Sequence, residues 1–161
     1  MKIYIASDHA GFELKKALIG YLRAKKMDVV DMGAFKLDIA DDYPDFIYPC
    51  VKKVSEDIDS VGIVIGGSGQ GEAMVANKVK GVRAAVFYGG KLDLVKFAKQ
   101  HNNANILSFG ARFMTVDEAK AAVDLWLSTK FEGGRHVARL AKITKIENGE
   151  AHIDPSIKDQ S

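Results

Sequence analysis

Short β-branched runs alternate with longer stretches of helical period along this chain, and no other feature restricts its fold as much. Strands that feed one at a time into helices pair in parallel, and a parallel sheet needs helices over both faces. Runs at Lys2–Ala6, Asp28–Asp31, Val61–Ile65, Val82–Val86 and Ile106–Phe109 therefore predict a five-stranded parallel sheet in a three-layer α/β/α fold. In such a sheet, function belongs at the carboxyl ends of the strands.

The intervening segments read as helices. Near Gly11 to Lys26, Phe12, Leu14, Leu18, Ile19 and Leu22 form an apolar stripe, set against Lys15, Lys16, Arg23 and Lys25 on the polar side. A second helix is expected after Tyr43-Pro44, where proline suits the first turn, and runs to about Asp57. Further helices follow Gly71, Gly90 and Thr115, the last opened by a "TVDE" capping box and anchored in the core by Trp126. A final helix, Arg135 to about Glu147, carries Val137, Leu140, Ile143 and Ile146 on one face. Residues 1–147 are expected to form a single domain, and residues 148–161 a polar tail.

Composition enters mainly by exclusion. With 161 residues the chain is long enough to bury a full core without a staple. A formal net charge of +2 gives no general surface for nucleic acid. No run approaches the length of a membrane span, and the start "MKIYIASDHAG" is too short in apolar residues for a signal peptide. The single cysteine, Cys50, can neither close an internal disulfide nor seed a thiolate zinc cluster. A cytoplasmic setting is the expectation.

The segment "IVIGGSGQGEA", Ile63 to Ala73, looks like a phosphate loop but fails both tests for one. A P-loop requires lysine and a hydroxyl residue after its last glycine, where this chain has Glu72 and Ala73. The dinucleotide pattern would use Gly67 and Gly69, but its third glycine is replaced by Glu72 and the loop follows the third strand instead of the first. What is left is a set of converging N–H groups able to hold a small anion or a developing oxyanion, with a carboxylate beside it. Glu72 then reads either as a base that removes a proton next to a carbonyl or as a charge complementing a helix dipole. The dipole would lower its pKa and burial would raise it. Ser68 is a substrate donor or a small turn residue.

Three further groups lie near strand or helix ends, where the topology could gather them into one crevice. Asp8 and His9 follow the first strand, and Asp8 alternatively caps the first helix. His101 and Asn102 end a helix in "HNNAN". Arg135 and Arg139, at i and i+4, share a helix face and can grip one phosphate, as can Arg112 in "GARFMT"; a solvated basic face is the plainer reading.

Together, "ASDHAG", "DDYP", "IVIGGSGQGEAMVANKVKGVRAA", "HNNANILSFGAR" and "EGGRHVAR" resemble the ribose-5-phosphate isomerase B family, which includes galactose-6-phosphate isomerase subunits; the resemblance runs from Lys2 to about Ile146. It implies a Rossmann-like fold and a cofactor-free, metal-free interconversion of D-ribose 5-phosphate and D-ribulose 5-phosphate through an enediol, in the pentose phosphate pathway. It also implies a homodimer or dimer of dimers with the site between subunits. By position, Glu72 resembles the base, and Ser68 with the amides of Gly67, Gly69, Gln70 and Gly71 the enediolate site. His101, with Asp8, resembles the ring-opening group. Asn102 and Tyr43 resemble sugar contacts, and Arg112, His9, Arg135 and Arg139 the phosphate grip, the last two reaching into the partner's site. Part of the family uses a cysteine base where this chain has Gly66, so the chain resembles the glutamate branch. Two rivals stand beside this reading: isomerisation of a six-carbon sugar phosphate such as galactose 6-phosphate or allose 6-phosphate, and a non-catalytic module that binds a sugar phosphate or nucleotide.

Overall fold

A computed structural model describes residues 1–151 and Ser156, so most of the expected polar tail lies outside the described residues. Five parallel strands form one sheet: β1 (Lys2–Ser7), β2 (Asp28–Asp31), β3 (Ser60–Gly66), β4 (Ala84–Phe87) and β5 (Ile106–Gly110), in the order β2-β1-β3-β5-β4. The helices are α1 (Phe12–Ala24), α2 (Pro44–Glu56), α3 (Gln70–Ala76), α4 (Asp93–Asn102), α5 (Val116–Ser128) and α6 (Arg135–Glu147).

Strand residues alternate between two cores, as a two-residue side-chain period demands. Ile3, Ile5, Ile63, Ile65, Leu107 and Phe109 face α1, α4 and α5, where Leu18, Leu22, Val95, Val123 and the fully buried Trp126 meet them. Tyr4, Ala6, Val64 and Ile106 face α2 and α3 through Ile47, Cys50, Val51, Val54 and Ala76. Cys50 is thus a small core residue, and burial raises its thiol pKa far above the ordinary value. After β1 the chain moves outward to β2, and β3 then starts on the other side of β1. The strand order therefore reverses between β1 and β3, and their carboxyl ends flank the crevice where ligands collect in open α/β sheets.

Several expectations shift in detail. α1 is shorter at both ends, with Gly11 as N-cap and Lys26 in the left-handed region at φ 60°. β4 starts two residues late because Val82 N–H is tied back to Val79 and Arg83 N–H to the Asn105 side chain. α3 starts at Gln70, ahead of Gly71, because Gly69 turns the chain at φ 76°. The "TVDE" capping box is present in both directions, Thr115 Oγ1 accepting from Glu118 N–H and Glu118 accepting from Thr115 N–H.

Lys15 overturns its place on the polar side of α1. Its side chain is buried, and Nζ donates at 2.6 Å to both Asp31 Oδ1 and the Ala34 carbonyl. Periodicity assigns lysine to solvent, but a carboxylate at the end of β2 gives this one a reason to be inside. At the other end of the chain, the apolar face of α6 is left largely uncovered: Val137, Ile143 and Ile146 are exposed, and His136 is the buried residue of that helix.

Candidate active site

The loops after β1, β3 and β5 enclose an open cleft of about 340 Å³, to which Asp8, His9, Ser68, Glu72 and Arg112 contribute. Tyr43, at the start of α2, closes one side; its ring lies so near the glycine loop that a Cβ on Gly71 would fall 2.8 Å from Cζ.

The loop after β3 is held from beneath. Ser108 Oγ donates to the Gly69 carbonyl at 2.6 Å, while Ala111 and Arg112 N–H donate to the Gly66 and Gly67 carbonyls. With the carbonyls bound, the N–H groups of Gly67, Ser68 and Gly69 donate to nothing among the described residues and remain available to an anion. Ser68 Oγ accepts from Gln70 N–H at 3.3 Å, the bond of a turn residue. The Arg112 guanidinium lies across Gly67, 3.3 Å from where a Cβ would stand.

Glu72 is 4 % exposed. Its carboxylate fills the space above Gly66, where an added Cβ would sit 1.9 Å from Oε1. Burial pushes its pKa above the ordinary 4.5, its own backbone N–H pulls down, and the negative charge of Asp8 pushes up again. Burial is the largest of these effects, and the carboxyl pKa lies above its ordinary value.

Asp8 does not cap α1, whose N-cap is Gly11; its Oδ1 accepts from Ala10 N–H at 2.9 Å and Gly11 N–H at 3.1 Å in the turn ahead of the helix, with the residue 7 % exposed. His9 is fixed by a residue absent from the expected set. Asp41 Oδ1 accepts from His9 N–H at 3.1 Å and lies 2.6 Å from Nδ1. That bond raises the His9 pKa above 6.5.

The remaining expected residues are elsewhere. α4 starts beyond the carboxyl end of β4 and runs back, so its last residues return to the amino edge of the sheet. There the Arg83 side chain, just ahead of β4, donates to the Asn102 and Asn103 carbonyls. His101 stacks on His136 of α6, centroids 4.5 Å apart, and on Phe97 at 4.9 Å. Glu132 Oε2 lies 3.7 Å from His101 Nε2 and 3.8 Å from His136 Nε2. Arg135 and Arg139 are exposed on α6 beside them. Within one chain, the four groups do not gather into a single crevice. Asp8, His9, Ser68, Glu72 and Arg112 meet; His101, Asn102, Arg135 and Arg139 form a second cluster at the opposite edge.

Two groups of side chains could in principle receive a cation, each with donor atoms within 4.8 Å of one another: His101, Glu132 and His136, and Asp8, His9 and Asp41. The charges around the first work against one. After burial, His101, Arg135 and Arg139 all lower the His136 pKa, which marks a cationic surrounding. In the second, the short His9–Asp41 bond occupies His9 Nδ1 and Asp41 Oδ1, and Asp8 Oδ1 accepts from Ala10 and Gly11 N–H.

The family model described as Ribose/Galactose Isomerase matches residues 3–143. The chain belongs to the ribose/galactose isomerase family. Among its relatives in this family, the probable ribose-5-phosphate isomerase B of Mycoplasma genitalium is 46% identical over 146 residues, 90% of this chain and 95% of that one. The corresponding Mycoplasma pneumoniae protein is 43% identical over 90% and 94%. Among solved structures, ribose-5-phosphate isomerase B from Mycoplasma genitalium with bound ribulose-5-phosphate superposes with a TM-score of 0.87 at 44% identity, covering 91% of this chain and 96% of that one. The Clostridium thermocellum ribose-5-phosphate isomerase B structure gives 0.88 at 40% identity, over 94% and 100%.

Sequence reasoning missed Asp41, Glu132 and His136. Asp41 stands in "DDYP", but no local pattern joins it to His9 across 32 positions. Glu132 lies ahead of α6 and reaches His136 across the turn at Gly133 and Gly134, so helical spacing gives no signal for this pair either.

Proposed function

We propose that the chain interconverts D-ribose 5-phosphate and D-ribulose 5-phosphate through an enediolate, with Glu72 moving the proton between C1 and C2. The observation that carries this reading is the buried Glu72 carboxylate, its pKa raised, beside free loop N–H groups at the switch point of the sheet. The carboxylate takes the proton while Ser68 and the amides of Gly67, Gly69, Gln70 and Gly71 take the charge that appears on oxygen. A placed general base contributes about 10²- to 10⁴-fold and one oxyanion donor about 10²- to 10³-fold, so this arrangement calls for no metal or cofactor. The names of the relatives described above favour the five-carbon substrate over a six-carbon one, a substrate of the pentose phosphate pathway.

The catalytic unit is residues 1–147, working as a homodimer or dimer of dimers in the cytoplasm. His101, acting with Asp8 of the other chain, opens the sugar ring, and Asn102 and Tyr43 hold its hydroxyls. Arg135 and Arg139 join Arg112 and His9 of the facing chain around the phosphate. Support comes from the separation of the two clusters within one chain and from the uncovered apolar face of α6.

The test is exchange of the substrate C2 proton with solvent. Wild type should exchange it during turnover, and Glu72→Gln should lose isomerisation by at least about 10²-fold while still binding substrate. Binding without exchange in the wild type would leave a sugar-phosphate binding module instead.

A further inference from the structure

The loop between β2 and α2 brings a carboxylate to the first strand end that the proposed chemistry leaves without a task. Asp41 Oδ1 bonds both the backbone N–H and Nδ1 of His9, and its side chain is 8 % exposed. Its second oxygen, Oδ2, is buried with no hydrogen-bond partner among the described residues. A buried carboxylate held this way needs a cation, and the imidazole ring of His9 is the group it touches. We infer that Asp41 is a positioning residue for His9, holding a proton on Nδ1 so that the ring presents Nε2–H and a positive charge to the substrate phosphate. The inference rests on the phosphate-gripping role proposed for His9.

The charges around the ring agree with that task. The Asp41 hydrogen bond raises the His9 pKa most, desolvation opposes it, Asp8 raises it, and Arg112 across the cleft lowers it. Glu72 lines the same cleft from α3. Arg112 supplies a permanent charge beside the loop, so His9 is the part of the grip whose charge depends on pH and on its tether. Because the pKa in the folded chain lies above 6.5, the ring is cationic below that raised value, and phosphate binding weakens as pH rises through it. Without the Asp41 carboxylate, the same weakening starts at lower pH.

The experiment follows the His9 imidazole by NMR against pH in the full-length protein and in Asp41→Asn and Asp41→Glu, and measures binding of inorganic phosphate to each. Comparison at matched pH cancels the titration of phosphate itself. We expect the His9 midpoint to fall in Asp41→Asn and to recover in part in Asp41→Glu. Phosphate should bind Asp41→Asn about tenfold more weakly at a pH between the two midpoints, the worth of one charge-assisted contact, and equally well below both. For ribose 5-phosphate, KM should rise in that window with kcat unchanged. A His9 midpoint in Asp41→Asn equal to that of wild type overturns the inference, as does phosphate affinity of Asp41→Asn equal to wild type across the window. Phosphate binding needs no turnover, so a failed isomerase reading would appear separately, as absent C2-proton exchange with the His9 titration intact.

Discussion

Gly66 and Glu72 occupy one space. A methyl group on Gly66 would stand 1.9 Å from Oε1 and 2.1 Å from the carboxyl carbon, so the carboxylate must leave. Gly66→Ala should therefore fold but lose turnover by roughly the worth of a misplaced base, on the order of 10²-fold or more, measured on ribose 5-phosphate. Burial has a second consequence at this residue. The folded-state pKa of Glu72 is raised above 4.5, so ionisation works against the folded state. The stability it contributes when protonated is present below the unfolded pKa and lost as pH rises through the folded one. Glu72→Gln should consequently be more stable than wild type at neutral pH, with the difference vanishing below about pH 4, in urea unfolding run at several pH values. Activity should run the opposite way, since the proposed base must be ionised: kcat/KM should rise with pH through a midpoint above the ordinary carboxylate value.

At the scale of elements, the alternation of runs was a sufficient guide to the sheet, because burial on both faces forces the strands to read as nearly continuous apolar segments. The edges were less legible. Lys15 was misplaced because helical period knows nothing of Asp31, which approaches from β2. Replacing it by methionine should cost about 3 kcal/mol in equilibrium unfolding, the low end for one partner of a buried pair, since Asp31 keeps partial access to water. Activity should fall as well. The Ala34 carbonyl that Lys15 holds belongs to a loop whose Gly33 and Ala34 are bonded to Ser7, the residue before Asp8. The site was half legible for a related reason. A chain position "at a helix end" does not say which edge of the sheet it reaches, and α4 carries His101 back to the amino edge while Glu72 stays at the carboxyl edge.

For the whole molecule, the proposed division of the site between opposite sheet edges makes a sharp expectation about mixtures. Glu72→Gln and His101→Asn chains should each be inactive on ribose 5-phosphate. Co-refolded in equal amounts as dimers, they should recover roughly a quarter of the wild-type sites, because half the dimers are mixed and each mixed dimer holds one site with both defects and one with neither. No recovery, with mixed dimers verified by mass, would place the complete site within one chain. The exposed Val137, Ile143 and Ile146 bear on the same point. Ile143→Glu should shift the sedimentation profile toward single chains and lower activity in proportion.

The crowding of Gly66 by Glu72 also has an evolutionary meaning. The family resemblance implies two kinds of base, a cysteine at one position or a glutamate six residues later, and the cleft has room for a single one. A lineage cannot hold both during a transition: a side chain gained at the glycine evicts the existing carboxylate before the new group is tuned, and loss of the carboxylate first leaves an empty pocket. On this geometry, each single step should turn over more slowly than either end state. The two branches are separated by a valley that coordinated change at both positions must cross.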